Sequence, residues 1–405
     1  MLNERMTFDV QRVRALYPAL GEGFAHFDGA GGTLVAGSVT DAIAATLRAA
    51  IGNTTTVFTP GRRAIEIVAQ ARVAVADLLG ADPAGVVFGP SATSLTYRVS
   101  RALADTWRPG DEVVVSRLDH DANVRPWVQA AGRSGATVRW APFEPSTGAL
   151  PVSAYRELVN ERTRVVALTA ASNAIGTRPD VAAIAALAHS VGALVYVDGV
   201  HATAHLPVDV RALGADFYVT SAYKWSGPHI ATCVADPGLL ESLWPDKLNP
   251  SPNEVPERFE LGTPSFELLS GVTAAVDHLS TLDDAAAGSR RSRVLTSMGS
   301  AHAYQMDVFG SLLSGLQALP SVRVLPAPAG RCPTVSFLVG DALPAQTALA
   351  LGDQGVCVFA GDYYAWEYFE AMGLHPRGGA VRASVYHYNT LEEVSRLLDC
   401  VKRLV

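Results

Sequence analysis

The residue whose setting most suggests covalent chemistry is Lys224, in the segment SAYKWSGP at residues 221–228. Its surroundings are apolar and rich in Gly and Pro. A lysine desolvated there would have a lowered pKa and could form a Schiff base with a carbonyl compound. Taken alone, the residue fits a surface lysine on a loop better, because lysines are mostly exposed. The chemical interpretation therefore depends on which other groups lie beside it.

Three other polar signals could accompany this lysine. Asp198 directly follows the apolar run 194–197. A buried carboxylate at this position needs a positive partner, such as a protonated pyridine nitrogen. The alternative is that Asp198 is an ordinary turn residue or helix cap. The segment SATS at 91–94 lies where an apolar strand passes into a helix. Hydroxyls and free N–H groups at a helix N-terminus can bind phosphate. The alternative is that these hydroxyls only cap the helix. Arg382 alternates on the run 381–386 and could clamp a carboxylate, unless it is a structural arginine paired with an acid.

Each of these signals is weak when taken singly, but together they indicate one chemistry. A lysine suits an imine, a carboxylate suits a ring nitrogen, a hydroxyl-rich helix start suits a phosphate, and a guanidinium suits an amino-acid carboxylate. The combination predicts a phosphorylated ring cofactor that acts on an amino acid.

The chain pattern from about residue 70 provides a scaffold that could bring these groups together. Helical stretches, the first at 64–79, alternate with β-rich runs at 85–88, 112–115, 137–140, 164–168, 194–197 and 217–220. This alternation predicts an α/β fold with a mostly parallel sheet covered by helices on both faces. Ligands bind at the carboxyl ends of such strands, where we expect His120, Asp198, Lys224 and the 91–94 segment to meet.

The pattern changes in the C-terminal part of the chain. A Pro-rich and acidic excursion at 245–264 is followed by a helical stretch over 293–319 and by β-rich runs at 334–339, 356–359 and 381–386. We therefore predict a large cofactor-binding α/β domain over residues 21–280. A smaller α+β domain over residues 281–405, with about residues 1–20, is expected to complete the molecule.

Composition narrows the classes of partner. The 405 residues carry a net charge of −7 and 49% hydrophobic residues, which predicts a folded chain without a basic footprint for nucleic acid or anionic membrane. The most apolar stretch, 181–197, divides into an Ala-rich helix and a β-branched run rather than a membrane span. The charged N-terminus does not fit a signal peptide, and the four cysteines form no CxxC motif, so we predict a cytoplasmic protein.

The order of these elements resembles the fold-type I pyridoxal-phosphate enzymes of the class V aminotransferase family, in particular the cysteine desulfurase-like branch. Seven segments carry the resemblance. They are FDGA (27–30), LDHDANVRPW (118–127), SNAIGT (172–177), VDGVH (197–201), SAYKWSGP (221–228), RFELGTP (258–264) and RASVYHYNT (382–390).

The resemblance implies pyridoxal 5′-phosphate as cofactor, an amino-acid substrate and a homodimer. In that family Lys224 would hold the cofactor and then act as the general base, Asp198 would pair with the ring nitrogen, and His120 would stack on the ring. Asn173 and His201 would lie on the oxygen side of the ring, with Asn173 also near the substrate, and Arg382 would bind the substrate carboxylate. The expected phosphate contacts are Ser91, Ala92, Thr93, Ser221 and Tyr223, with Thr263 reaching the neighbouring subunit's phosphate.

One departure from the branch bears on the reaction. Its sulfur-transferring members carry a nucleophilic Cys on the loop before the RAS strand, whereas the matching segment FAGDYYA at 359–365 has none. The nearby Cys357 lies in an apolar strand pattern typical of an inert core thiol. The family name favours an aminotransferase, while a C–S lyase or an epimerase with the same cofactor and no persulfide cysteine remains open.

Two interpretations from other classes compete with these enzymes. His201 and His205 stand four residues apart and, with Asp198, could belong to a metal-dependent hydrolase, although no HExxH motif is present and we expect no metal. A catalytically retired dimer that only binds the cofactor is the other alternative. The segment DGAGG at 28–32 is not the GxGxxG of dinucleotide-binding proteins, and no GxSxG supports a serine hydrolase.

Overall fold

A computed structural model of the chain describes residues 8–404. Residues 1–7, which carry part of the charged N-terminus and of the predicted smaller domain, lie outside this range, as does residue 405. Among the described residues, no helix combines the length and the apolar character needed to cross a membrane.

The strands and helices alternate through most of the chain. The strands are Ala25–His26 (β1), Val86–Gly89 (β2), Glu112–Ser116 (β3), Thr137–Ala141 (β4), Thr163–Thr169 (β5), Leu194–Asp198 (β6), Phe217–Ser221 (β7), Ala231–Ala235 (β8), Val322–Val324 (β9), Thr334–Val339 (β10), Val356–Cys357 (β11), Phe359–Gly361 (β12) and Ala380–Ser384 (β13). The helices are Val10–Arg14 (α1), Gly37–Arg48 (α2), Thr59–Leu79 (α3), Ala92–Ala104 (α4), Arg125–Ser134 (α5), Ser153–Arg156 (α6), Val181–His189 (α7), Pro237–Glu241 (α8), Phe266–Leu279 (α9), Arg290–Gln317 (α10), Pro344–Gly352 (α11), Trp366–Ala371 (α12) and Leu391–Lys402 (α13).

The larger sheet has the strand order β2-β8-β7-β6-β5-β3-β4. Its strands run parallel except β8, which pairs antiparallel with both of its neighbours. Continuous apolar runs such as Val113 to Val115 are fully buried, because helices cover both faces of the sheet. The predicted α/β class with a mostly parallel sheet is therefore confirmed.

A second sheet, of order β12-β13-β10-β9, is antiparallel and belongs to the C-terminal part of the chain. It packs with α10 and α13 around its own apolar core. The short strand β1 pairs with β11, so the N-terminal segment joins this smaller layer. This arrangement carries Arg382, on β13, to the edge of the large sheet. The residue boundaries of the two domains stay a prediction.

Several elements were absent from the predicted pattern. They include the helices α2 and α9 and the antiparallel strand β8. Helices α2 and α9 pack against each other, and α9 also packs against α3. The strand β8 gives a weak signal because it is a short run of small residues. The 245–264 excursion is irregular, with a single 3₁₀ turn at Glu257–Phe259.

A buried ion pair between Arg72 and Glu260, called the clasp below, connects the end of that excursion to the large sheet. Arg72 on α3 is 7% exposed, and its guanidinium donates to both carboxylate oxygens of Glu260 at 3.0 Å and to the carbonyl of Val86. Glu260 also accepts the backbone N–H of Phe88 at 2.8 Å. The clasp thus sets the position of β2, whose carboxyl end leads into the 91–94 segment.

Replacement of Arg72 by Leu is expected to lower the free energy of unfolding by about 3 kcal/mol, because it leaves a part-buried carboxylate unpaired. Urea denaturation followed by circular dichroism measures the change. The matched control is Lys402→Met, which removes the exposed pair with Asp399 and should change the stability by less than about 0.5 kcal/mol. An Arg72→Leu variant as stable as that control would contradict the role of the clasp.

Candidate active site

A cavity of about 570 Å³ lies at the carboxyl ends of the parallel strands, as expected for an open α/β sheet. Most of the residues predicted from the sequence line it. They are Ser91, Ala92, Thr93, His120, Asn173, Asp198, His201, Ser221, Tyr223, Lys224 and Arg382. Thr263 does not line the cavity and is exposed on the surface, so a contact with a neighbouring subunit's cofactor stays a prediction.

Lys224 follows β7 on a 3₁₀ turn and points its amine into the cavity. The amine donates to the carbonyls of Ala30 and Gly31, the latter at 2.8 Å. Burial and the positive charge of Arg382 lower the pKa of Lys224 to about 7, against the opposing charges of Asp28 and Asp198. The sequence contains three lysines, and neither Lys247 nor Lys402 lines the cavity.

Asp198 stands at the end of β6 with its carboxylate in the cavity. One oxygen accepts the N–H of Val200 at 2.9 Å. Burial raises the pKa of Asp198 to about 6, while that hydrogen bond and the charge of Lys224 oppose the rise. The next residue must be glycine, because the ring of Tyr218 packs directly on Gly199. A Cβ atom at this position would lie 1.9 Å from Tyr218 Cζ.

His120 caps the 3₁₀ turn after β3, where its Nδ1 accepts the N–H of Ala122 at 3.0 Å. Burial and the charges of Lys224 and Arg382 lower the pKa of His120 to about 3, so the ring is neutral and carries its proton on Nε2. Behind it, Asp119 is fully buried and accepts from Ser116 and from Asn123 at 2.7 Å. Burial raises the pKa of Asp119 to about 8.

Arg382 is 3% exposed and presents a fixed guanidinium to the cavity. It donates to Asp28 at 3.0 Å and to the carbonyl of Asn173 at 3.1 Å, while its Nε has no hydrogen-bond partner among residues 8–404. Asn173 donates to the carbonyl of Tyr363 at 2.8 Å, and its buried Oδ1 has no partner in the described part of the chain. A buried acceptor and a partly unpaired guanidinium are groups that a ligand would satisfy.

His201 and His205 pack edge to face rather than converging on a metal position. His201 Nε2 bonds with the Thr334 hydroxyl at 3.0 Å, and His205 Nδ1 bonds with Gln305 at 2.7 Å. Burial lowers the pKa of both rings, for His205 to about 4. Within residues 8–404, no three His, Cys, Asp or Glu side chains are grouped as a metal would require.

The 91–94 segment joins β2 to the N-terminus of α4. The Ser91 hydroxyl is used in a capping box with Ser94, whose N–H it accepts at 3.1 Å. The N–H groups of the first helical turn, beginning at Ala92 and Thr93, therefore remain for an anion, with the Thr93 and Ser221 hydroxyls beside the same cavity. Tyr223 completes this wall and stacks on His229 at 4.7 Å.

The cavity lining contains no cysteine among the described residues. Cys233, Cys332 and Cys400 are buried in the cores, and Cys357 lies on β11, half-buried and outside the lining. Burial and the charge of Asp28 raise the pKa of the Cys357 thiol, which favours its unreactive form.

A buried polar cluster below the lysine turn was not predicted from the sequence. Tyr17 Oη lies 2.7 Å from Ser226 Oγ, 2.8 Å from His278 Nε2 and 2.6 Å from His387 Nε2. Ser226 has a φ of +67°, unusual for a residue other than glycine, and its N–H donates to the Thr33 hydroxyl at 2.8 Å. The cluster thus joins four distant segments at the turn that carries Lys224.

Replacing Tyr17 by Phe is expected to lower the free energy of unfolding by about 1–3 kcal/mol, because it leaves buried Ser226 and histidine groups without a partner. Tyr368→Phe is the matched control, since Tyr368 is also buried but its hydroxyl has no hydrogen-bond partner among the residues that the structure describes. Urea unfolding of both variants tests the difference. Equal stabilities for the two variants would show that the cluster contributes nothing.

The polar groups around this cavity fit pyridoxal phosphate. They include an amine of lowered pKa at Lys224, a buried carboxylate at Asp198, unused N–H groups at the start of α4 and the unpartnered Oδ1 of Asn173. A carbonyl carbon, a ring nitrogen, a phosphate and a ring hydroxyl would satisfy these four in turn.

Comparison with known proteins agrees with this set of polar groups. The family described as aminotransferase class-V matches residues 25–397. The chain is 38% identical to uncharacterized protein MT3887 of Mycobacterium tuberculosis, over 98% of this chain and all of that protein. It is 32% identical to a cysteine desulfurase of Klebsiella pneumoniae, over 98% of this chain and 99% of that enzyme.

The similarity extends to solved structures. The crystal structure of the cysteine desulfurase CsdA from Escherichia coli superimposes with a TM-score of 0.87 at 27% identity, covering 98% of each chain. The chain therefore belongs to the class V aminotransferase family, in its cysteine desulfurase-like branch, and it uses pyridoxal phosphate.

Proposed function

We propose that the protein cleaves the bond between Cβ and sulfur in an α-amino acid, as a pyridoxal-phosphate lyase that forms no persulfide on its own chain. One observation carries this choice: the site combines Lys224, Asp198 and Arg382 with a lining that holds no cysteine among residues 8–404. Relatives named cysteine desulfurases support C–S cleavage. The aminotransferase activity that the sequence favours needs no thiol either. The product analysis described below distinguishes it from C–S cleavage.

Different residues would bind different parts of the cofactor. Lys224 would hold its aldehyde carbon, Asp198 would keep the ring nitrogen protonated, and His120 would pack on the ring as a neutral imidazole. The start of α4 and Ser221 would hold the phosphate. When bound, the cofactor supplies an electron sink that acidifies the substrate Cα–H bond.

The substrate would be held by its carboxylate at Arg382. That guanidinium already pairs with Asp28, so an incoming carboxylate replaces or shares this partner and keeps the buried cation compensated. The clamp fixes the Cα–H bond relative to Lys224, whose amine has a pKa near neutrality and therefore suits a general base.

The bond changes balance without an added oxidant or reductant. The Cα proton moves to Lys224 Nζ, the Cβ–S bond breaks, and its electron pair leaves with sulfur as a thiolate that takes up a proton. The released 2-aminoacrylate reacts with water to give pyruvate and ammonium. A desulfurase that retained the sulfur would instead need a thiol nucleophile and would yield alanine.

Product analysis tests this assignment. Incubation of the holoenzyme with an S-substituted L-cysteine is expected to give pyruvate, ammonium and free thiol in equal amounts. Lys224→Ala should abolish turnover, whereas Lys247→Ala, the matched lysine outside the cavity, should keep it. Alanine with a persulfide on Cys357 would indicate a desulfurase. A sulfur-containing keto acid with pyridoxamine phosphate would indicate an aminotransferase, and either result would overturn the proposal.

The pKa of Lys224 predicts how cofactor uptake depends on pH. Because the pKa is lowered to about 7, the amine is protonated and unreactive below this pH and becomes a free nucleophile above it. The rate at which apoenzyme becomes yellow with pyridoxal phosphate should therefore rise with a midpoint near pH 7. Arg382→Leu should move the midpoint upward, since the Arg382 charge helps to lower this pKa, and Lys247→Ala should not move it. A midpoint near pH 10 in the unaltered protein would contradict the account.

A further inference from the structure

The mouth of the cavity carries three exposed aromatic rings on one short segment, residues 359–366. Phe359, Tyr364 and Trp366 are 45%, 70% and 50% exposed. Phe359 and Tyr364 line the same cavity as Arg382, and Tyr364 and Trp366 line an adjoining cavity of about 480 Å³. Large apolar side chains gathered at a cleft in this way mark a ligand-binding surface.

The backbone of this segment is held in a strained conformation that fixes the rings. Tyr363 and Tyr364 have φ values of +50° and +58°, which bulky residues rarely adopt. The Tyr363 carbonyl accepts from Asn173 at 2.8 Å, and the Tyr364 carbonyl accepts from the N–H of Asp121 at 2.6 Å. Tyr363 is thereby buried beside Arg382, while the Tyr364 ring stacks on His120 at 5.5 Å on the outer side.

The charges around the rings disfavour an anionic side chain. Arg125 is already paired with Asp121 at 2.8 Å and with Glu367 at 2.5 Å, and Arg117 is paired with the same Glu367 at 2.9 Å. Asp362, which accepts the Tyr364 N–H at 3.0 Å, adds a further negative charge. The exposed rings therefore remain as the recognition surface next to the carboxylate clamp.

We propose that the substrate is an amino acid whose side chain ends in an uncharged aromatic ring, which packs on Phe359 and Tyr364 while Arg382 holds its carboxylate. The inference rests on the proposed function only in placing an amino acid and pyridoxal phosphate in this cavity. For C–S cleavage the substrate class is an S-aryl or S-arylmethyl conjugate of cysteine rather than free cysteine. The segment that bears a reactive thiol in the sulfur-transferring enzymes here supplies a ring-binding wall.

Binding of amino acids without a leaving group tests this inference separately from the reaction. The holoenzyme is titrated with L-phenylalanine, L-alanine and L-glutamate, and the change in the cofactor's visible absorption gives each Kd. L-Phenylalanine should bind at least about tenfold more tightly than L-alanine, which matches the worth of one aromatic contact, and L-glutamate should bind no better than L-alanine. Equal Kd values for L-phenylalanine and L-alanine would overturn the inference.

Two variants locate the preference. Tyr364→Gly removes the ring and accommodates the positive φ, so the preference for L-phenylalanine over L-alanine should fall about tenfold, while Tyr364→Phe should keep it. Phe24→Ala is the matched control, because that ring is 49% exposed but does not line the cavity. A preference that survives in Tyr364→Gly and Phe359→Leu would also overturn the inference.

Turnover distinguishes the inference from the proposed function. If S-phenyl-L-cysteine is cleaved to thiophenol and pyruvate with a kcat/KM above that of L-cysteine, both stand. If L-phenylalanine binds tightly but no C–S bond is cleaved, the proposed reaction fails and the aromatic specificity stands. If L-cysteine is cleaved with the higher kcat/KM and L-phenylalanine binds no better than L-alanine, the specificity fails and the reaction stands.

Discussion

The structure depends on orienting one lysine amine inside a desolvated cavity that lowers its pKa. Lys224 is held by the carbonyls of Ala30 and Gly31, and the nearby guanidinium of Arg382 helps to lower its pKa to about 7. Removing a positive charge from water in this way is unfavourable unless other groups fix and compensate the site. Segments around residues 30, 198, 224 and 382 must therefore meet at one point, which the parallel sheet and the smaller antiparallel sheet achieve together.

The packing below the cavity explains how this point is fixed. Ser226, two residues after the lysine, adopts a left-handed conformation that is sustained by hydrogen bonds to Tyr17 and Thr33. Tyr17 in turn contacts His278 on α9 and His387 beyond β13, so the lysine turn is bound to both layers of the molecule. On the opposite side the strained turn at Tyr363 and Tyr364 closes the cavity mouth. These backbone conformations and hydrogen bonds supply the orientation that a reactive amine requires.

Much of this arrangement follows from local sequence, and the rest depends on contacts between distant segments. Runs of β-branched residues predicted the parallel strands correctly. Asp198 and Lys224, which follow two of those runs, lie together where the carboxyl ends of the strands converge. The ion pair of Asp28 with Arg382 joins residues 354 positions apart, and no periodicity reports such a contact. The Tyr17 cluster was missed for the same reason, because only the folded chain shows what its residues touch. The strand β8 was missed because its short run of small residues gives a weak strand signal.

Identification of the lysine that carries the cofactor tests the central claim most directly. The holoenzyme is reduced with borohydride, digested, and the peptides are analysed by mass spectrometry. Because the chain has only three lysines, Lys224, Lys247 and Lys402, the assignment is unambiguous. We expect the phosphopyridoxyl group on the peptide that contains Lys224 and on neither of the others. A label on Lys247 or Lys402, or a protein that takes up no label, would contradict the account of this cavity as the catalytic site.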